Sequence, residues 1–182
     1  MGHECLTTIN HVLMPNYKIF VMTDASDFQS GSVLSFGDSW ETAHPVAFNS
    51  MMFKGAELNY PVHEKEMLVI ICSLQKWHAD LIGVPFFIYT DHKTLENFDT
   101  QHNLSRRQAR WMEFMSQYDF KIIYMKGEDN SVADALSLVP PSMQRRLLAY
   151  LTHPTTQSRS CLSSQMTTTL LHVQTFSQNR KH

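Results

Sequence analysis

Three apolar stretches follow one another early in the chain, each of strand length and joined by short polar connections. They are Lys18-Ile-Phe-Val-Met-Thr23, Gly31-Ser-Val-Leu-Ser-Phe36 and Pro45-Val-Ala-Phe-Asn49, with the turn-type cluster Gly37-Asp38-Ser39 after the second. Connections this short imply an antiparallel meander. The period then changes: from His63 to about Asp80, Met67, Ile70, Ile71, Leu74 and His78 recur at three and four residues. That spacing predicts a helix with one buried stripe, ended by Gly83-Val84-Pro85. Phe86-Phe-Ile-Tyr-Thr90 is nearly continuous in apolar character, as expected of a strand with a parallel neighbour. A short helix over 93–98, a stronger one from Ser105 to Tyr118, a strand Phe120-Lys-Ile-Ile-Tyr-Met125 and a last helix over Ser131–Leu138 complete the order. The order βββαβαβα predicts an α/β domain: a five-stranded mixed sheet, three strands antiparallel and then two parallel, flanked by helices.

The 182 residues suit one ordinary domain with something left over, and 43% hydrophobic content supplies its core. The longest apolar run, Met67-Leu-Val-Ile-Ile-Cys72, falls far short of the ~20 residues of a membrane span. Residues 1–17, with Leu6, Ile9, Val12 and Leu13 at helical spacing before the break at Pro15-Asn16, read as an incoming segment. They show no signal-peptide pattern. Three widely spaced cysteines, Cys5, Cys72 and Cys161, match neither a disulfide framework nor a zinc site. The expectation is a soluble intracellular protein of cytoplasm or nucleus, with no membrane partner.

The net charge of −2 conceals a split. Residues 1–138 carry 10 basic and 17 acidic side chains, whereas residues 139–182 carry five basic and none acidic. A body with a balance of −7 is unlike a protein that coats nucleic acid through Lys and Arg. In the 139–182 stretch 13 residues are Ser or Thr and two are aromatic. Such a segment buries too little to offset the entropy of ordering, so a disordered basic tail is expected there, with one marginal helix at Met143–Leu151.

Four carboxylates stand at corresponding places in this order. Asp24 closes the first strand and Asp91 the fourth, each after a threonine; Glu66 lies near the start of the long helix, and Asp134 in the last. Open α/β sheets place their sites at the carboxyl ends of strands, and all four positions fall at that end. Singly, each has an ordinary explanation: an Asp after a strand caps a helix or turns the chain, and Glu64 beside Glu66 suggests a solvated face. Together they make a pocket too negative to persist without cations, and hard oxygen ligands favour Mg²⁺ or Mn²⁺ over zinc. A pair of such ions suits in-line phosphoryl transfer, activating a water and steadying the leaving 3′ oxygen without a side-chain nucleophile. Gly-x-Ser-x-Gly, the P-loop, His-Glu-x-x-His and the dinucleotide-binding glycine pattern are all absent from the sequence.

Thr23-Asp-Ala-Ser-Asp27 with Gly31-Ser-Val-Leu-Ser35, Pro45-Val-Ala-Phe48, His63-Glu-Lys-Glu-Met-Leu68, Lys76-Trp77, Thr90-Asp-His-Lys93, Arg106 to Trp111, Lys126-Gly127 and Ala133-Asp-Ala-Leu-Ser137 occur in this order. The set resembles the ribonuclease H domain of the reverse transcriptase polyprotein of gypsy-class LTR retrotransposons, over about residues 5–138. The resemblance implies an RNase H-like fold and endonucleolytic cleavage of the RNA strand of RNA–DNA hybrids, leaving 3′-hydroxyl and 5′-phosphate ends. It implies two Mg²⁺ ions, with Mn²⁺ as substitute, held by Asp24, Glu66, Asp91 and Asp134. It further implies substrate contacts from Ser26, His92, Arg106 and Arg110, and a polymerase domain as partner. On this reading residues 18–138 are the catalytic domain and residues 1–17 the residual connection from an absent polymerase domain.

The chain departs from the family at Leu138, where Arg is usual, and the loop Lys126-Gly-Glu-Asp-Asn130 lacks the histidine that many cellular RNases H carry. With no integrase zinc-binding pattern downstream, the chain reads as a fragment or decayed insertion, and the competing function is a catalytically weak or inactive remnant that at most binds hybrid. An integrase-like transferase on the same fold fits less well, because its Glu follows both strand-end Asps. Trp77, Trp111, His63 and His78 are expected in the core or on helix surfaces.

Overall fold

The computed structural model describes residues 7–100, 104–127 and 129–138. Five strands form one sheet: β1 (Lys18–Ala25), β2 (Gln29–Gly37), β3 (His44–Met52), β4 (Phe86–Thr90) and β5 (Phe120–Tyr124). Their spatial order is β3-β2-β1-β4-β5. The first three pair antiparallel, and β1–β4 and β4–β5 pair parallel, as the pattern of strands and helices predicts. The central strand β1 presents a core to both faces: Ile19 and Val21 join the larger cluster, Phe20 the opposite one.

The main helix α1 (Val62–Lys76) packs Met67, Ile70, Ile71 and Leu74 against that larger cluster. It stops sooner than the apolar period predicts. Trp77 leaves the helix at φ −109°, ψ 26°, and a separate turn α2 (His78–Leu81) follows. The reason is packing. Trp77 is the buried residue at this point, while His78 is exposed and bonds the Tyr118 hydroxyl through Nδ1 at 2.7 Å. The break lets a large ring enter the core that a continuous stripe would have assigned to His78. Gly83, at φ 75°, supplies the left-handed residue that turns the chain toward β4.

A 3₁₀ segment, Lys93–Thr100, stands where a short helix was expected, and α3 (Arg106–Met115) begins after the Ser105 cap. The Ser105 hydroxyl accepts from the Gln108 amide, and the Gln108 side chain returns the bond, a capping box. The last helix is α4 (Ser131–Leu138). The β2 strand starts two residues before the expected Gly31, because its polar positions are internal: all nine residues are buried. Residues 11–13 form a turn rather than a helix, with Ile9 against the core and Val12 and Leu13 exposed. The expected tail, 139–182, lies outside the described residues. No helix among the described residues is long and apolar enough to cross a membrane.

Candidate metal centre at the carboxyl end of the sheet

The parallel register sets Thr23 beside Thr90, so the residues that follow, Asp24 and Asp91, emerge at the same end of the sheet. The first turns of α1 cross that end and bring in Glu66. One oxygen from each of the three carboxylates lies within 4.8 Å of the others. Asp24 and Glu66 are buried, at 7% and 3% exposure, and Asp91 is the more accessible. Glu66 accepts the Ala25 amide on Oε1 at 3.3 Å, while its buried Oε2 has no hydrogen-bond partner among the described residues. Burial first, then the charges of Asp24 and Asp91, hold the Glu66 carboxyl well above its usual range. A buried carboxylate with one orphaned oxygen, clustered with two further carboxylates, is a donor set suited to a hard divalent cation.

The fourth expected residue, Asp134, lies in α4, and its side chain is outside the described residues. The helix that carries it is held tightly against the same end of the sheet. Gly31, opposite Asp24 in the register, lies so close to α4 that a Cβ there would sit 2.1 Å from the Ala133 carbonyl oxygen and 2.7 Å from the Ser137 nitrogen. Three side chains donate to the last carbonyls of α4: Ser26 to Ser137 at 2.8 Å, and Gln29 and Ser50 to Leu136 at 3.2 Å each. These are the groups a helix end leaves without intrahelical partners. The Ser137 hydroxyl donates to Asp24 Oδ2. At the other end of α4, buried Asn130 donates from Nδ2 to the Thr23 carbonyl at 2.9 Å, pinning the incoming loop to the strand that carries Asp24.

The expected substrate residues are placed variously. The Ser26 hydroxyl is occupied by the Gln29 and Ser137 carbonyls. His92 is half-buried beside Asp91, with Nδ1 3.3 Å from the Thr94 hydroxyl and its ring edge-on to exposed His63 at 6.4 Å. Burial lowers the pKa of His92, Asp91 opposes that shift, and His63 adds to it. Arg106 and Arg110 are exposed on α3. Trp77 is core, and Trp111 is partly buried against it.

Glu64 does not stand on a solvated face. It is 7% exposed and pairs with Arg107 at 2.8 Å. The Arg107 guanidinium lies 3.7 Å from the centre of the Tyr60 ring and 5.7 Å from that of Trp111. The sequence carries a signal for this inward face, since Arg107, Trp111 and Met115 are four apart on α3; the more conspicuous Arg106 and Arg110 lie on the other side. Sequence alone assigns no role to Asn130, or to Ser137 at the end of Ala133-Asp-Ala-Leu-Ser137, because their work is done on a backbone carbonyl and on Asp24.

Strand order, crossover helix and strand-end carboxylates together define the RNase H-like fold. The chain resembles RNase H1 from the halophilic archaeon Halobacterium salinarum NRC-1 (TM-score 0.53, 17% identity, 71% of this chain and 98% of that one). It also resembles the foamy viral protease-reverse transcriptase solved in complex with dsDNA (TM-score 0.54, 18% identity, 66% of this chain and 25% of that one). At these identities the likeness is one of fold.

The family described as the RNase H-like domain found in reverse transcriptase matches residues 14–118, and the chain belongs to that family. Its sequence relatives are retrotransposon polyproteins: the Transposon Tf2-3 polyprotein of Schizosaccharomyces pombe is 41% identical over 126 residues, 67% of this chain and 10% of that polyprotein. The chain thus spans about a tenth of the length of the relatives it matches.

Proposed function

We propose that residues 18–138 are the ribonuclease H unit of a gypsy-type retrotransposon reverse transcriptase, hydrolysing the RNA strand of RNA–DNA hybrids. Asp24, Glu66, Asp91 and Asp134 are its catalytic carboxylates. The observation that carries this reading is Glu66: a carboxylate 3% exposed, one oxygen unpartnered among the described residues, crowded by Asp24 and Asp91. Nothing in packing rewards that arrangement, and a bound cation does. Divalent ions held there, Mg²⁺ or Mn²⁺, supply a polarised water and stabilise charge on the leaving 3′ oxygen.

The chain's own groups do the rest. The Ala25 amide orients Glu66, and the Ser137 hydroxyl orients Asp24. Asn130 and the α4 contacts to Ser26, Gln29 and Ser50 hold the helix of Asp134 at the site. Arg106 and Arg110, exposed on α3, are free to meet the hybrid backbone, and His92 borders the substrate beside Asp91. Ser26 contributes through the turn it holds. In a longer polyprotein a polymerase domain would share the hybrid.

The test is substrate choice. End-labelled RNA–DNA hybrid, RNA duplex and DNA duplex of one sequence are incubated with the protein and Mg²⁺ or Mn²⁺. Cleavage confined to the RNA strand of the hybrid, with 3′-hydroxyl and 5′-phosphate ends, is expected. Equal cleavage of all three duplexes, or none by a folded protein with either ion, contradicts the proposal.

A further inference from the structure

The turn of α1 that delivers Glu66 is poorly fastened by its own sequence. Its N-cap position is Pro61, which makes no side-chain capping bond. It nevertheless has to deliver Glu66 to within 4.8 Å of Asp24 and Asp91. Two cations, one on the turn and one on α3, fasten it to its surroundings. Lys65, only 8% exposed, donates to the Asp27 carbonyl at 2.8 Å and so ties the turn to the β1–β2 connection. Arg107 reaches across from α3 and holds Glu64 at 2.8 Å, with its guanidinium stacked on Tyr60 just before the helix begins. Tyr60 and Trp111 also face each other across this seam, at 6.5 Å.

We propose that Arg107 is a positioning residue for the metal centre: by pinning Glu64 it keeps the uncapped first turn of α1 in place and holds Glu66 within reach of Asp24 and Asp91. The inference rests on the carboxylate cluster being a cation site. Without Arg107, Glu64 is a buried carboxylate with no counter-charge. The turn then gains by swinging outward to hydrate it, and Glu66, two residues further along, moves with it. Lysine cannot replace the arginine fully, because an ammonium on a flexible stem neither stacks on Tyr60 nor presents a planar fork.

The experiment reads metal binding directly. Mn²⁺ is titrated into the full chain and free ion followed by electron paramagnetic resonance, with a thermal melt in EDTA for each variant. Removing an outer partner of a metal ligand commonly weakens affinity at least about tenfold; Arg107 acts one step further out, through Glu64, so a loss of up to about tenfold is expected for Arg107→Gln. Arg107→Lys should lose less, Glu64→Gln less than Arg107→Gln because it still accepts from Arg107, and Lys121→Gln, at an exposed position on β5, nothing. The hybrid KM, measured at saturating metal, should stay within about twofold for Arg107→Gln. If that variant does not fold, the order of Arg107→Lys, Glu64→Gln and wild type decides. A variant that melts earlier yet binds Mn²⁺ like wild type overturns the proposal and leaves Arg107 a packing residue. A raised KM with unchanged Mn²⁺ affinity overturns it in favour of a phosphate contact. Failure of wild type itself to bind Mn²⁺, with Asp24→Asn no different, removes the cation site on which it rests.

Discussion

Replacing Glu66 by glutamine should stabilise the metal-free protein at neutral pH, although it removes a proposed catalytic carboxylate. Burial, followed by Asp24 and Asp91, holds the Glu66 carboxyl well above its usual range. Below the unfolded value of about 4.3, native and unfolded chains both keep the proton and the group does not bias folding. As pH rises past that value, the unfolded chain releases its proton while native Glu66 retains it. Stability therefore falls until pH passes the native value. One unit of separation costs about 1.4 kcal/mol, and each kcal/mol moves the melting temperature of a domain this size by about 4 °C. Glutamine keeps an oxygen for the Ala25 amide and brings no charge into the cluster with Asp24 and Asp91. Circular-dichroism melts in EDTA should show the two proteins alike at about pH 4, and Glu66→Gln melting higher than wild type at about pH 7.5. Saturating Mg²⁺ should raise wild type relative to the variant, since binding at 100 times Kd adds about 2.7 kcal/mol. A glutamine variant that melts at or below wild type in EDTA at neutral pH refutes the reasoning.

Two further outcomes follow from packing and burial. Gly31→Ala forces a Cβ to within 2.1 Å of the Ala133 carbonyl; displacing α4 should cost about 1–3 kcal/mol in urea unfolding at an unchanged m-value. Burial pushes the Cys72 thiol up to about 11; near neutral pH, peptide-resolved mass spectrometry should find its alkylation more than about a hundredfold slower than that of a free cysteine. Equal rates would show that the seam between α1 and α3 opens.

The fold was legible because its alternation of strand and helix is local: β1, β4 and β5 are apolar runs, and α1 shows its stripe in any window. The three carboxylates that meet were legible for the same reason, as two strands ending in Thr-Asp fix two of them and the helix phase fixes Glu66. What the sequence hid is tertiary. The early start of β2 is masked by Gln29 and Ser30, which read as loop residues until α4 lies over this part of the sheet. Glu64 looks solvated until α3 brings Arg107 to it across 43 residues of chain. The end of α1 at Lys76 depends on where the Trp77 ring finds space. Asp134 sits on a helix whose placement depends on Gly31, a contact between residues about a hundred apart in sequence that no local pattern announces.

The central claim is that the carboxylate cluster cleaves RNA, and a single-turnover assay tests it most directly. Labelled RNA–DNA hybrid is mixed with excess protein and Mg²⁺, comparing wild type with Asp24→Asn and Glu66→Gln, each shown to be folded by its melt. Losing a ligand that stabilises charge by about 4 kcal/mol predicts a fall of about a thousandfold for each variant. Cleavage by wild type that survives both substitutions would contradict the account.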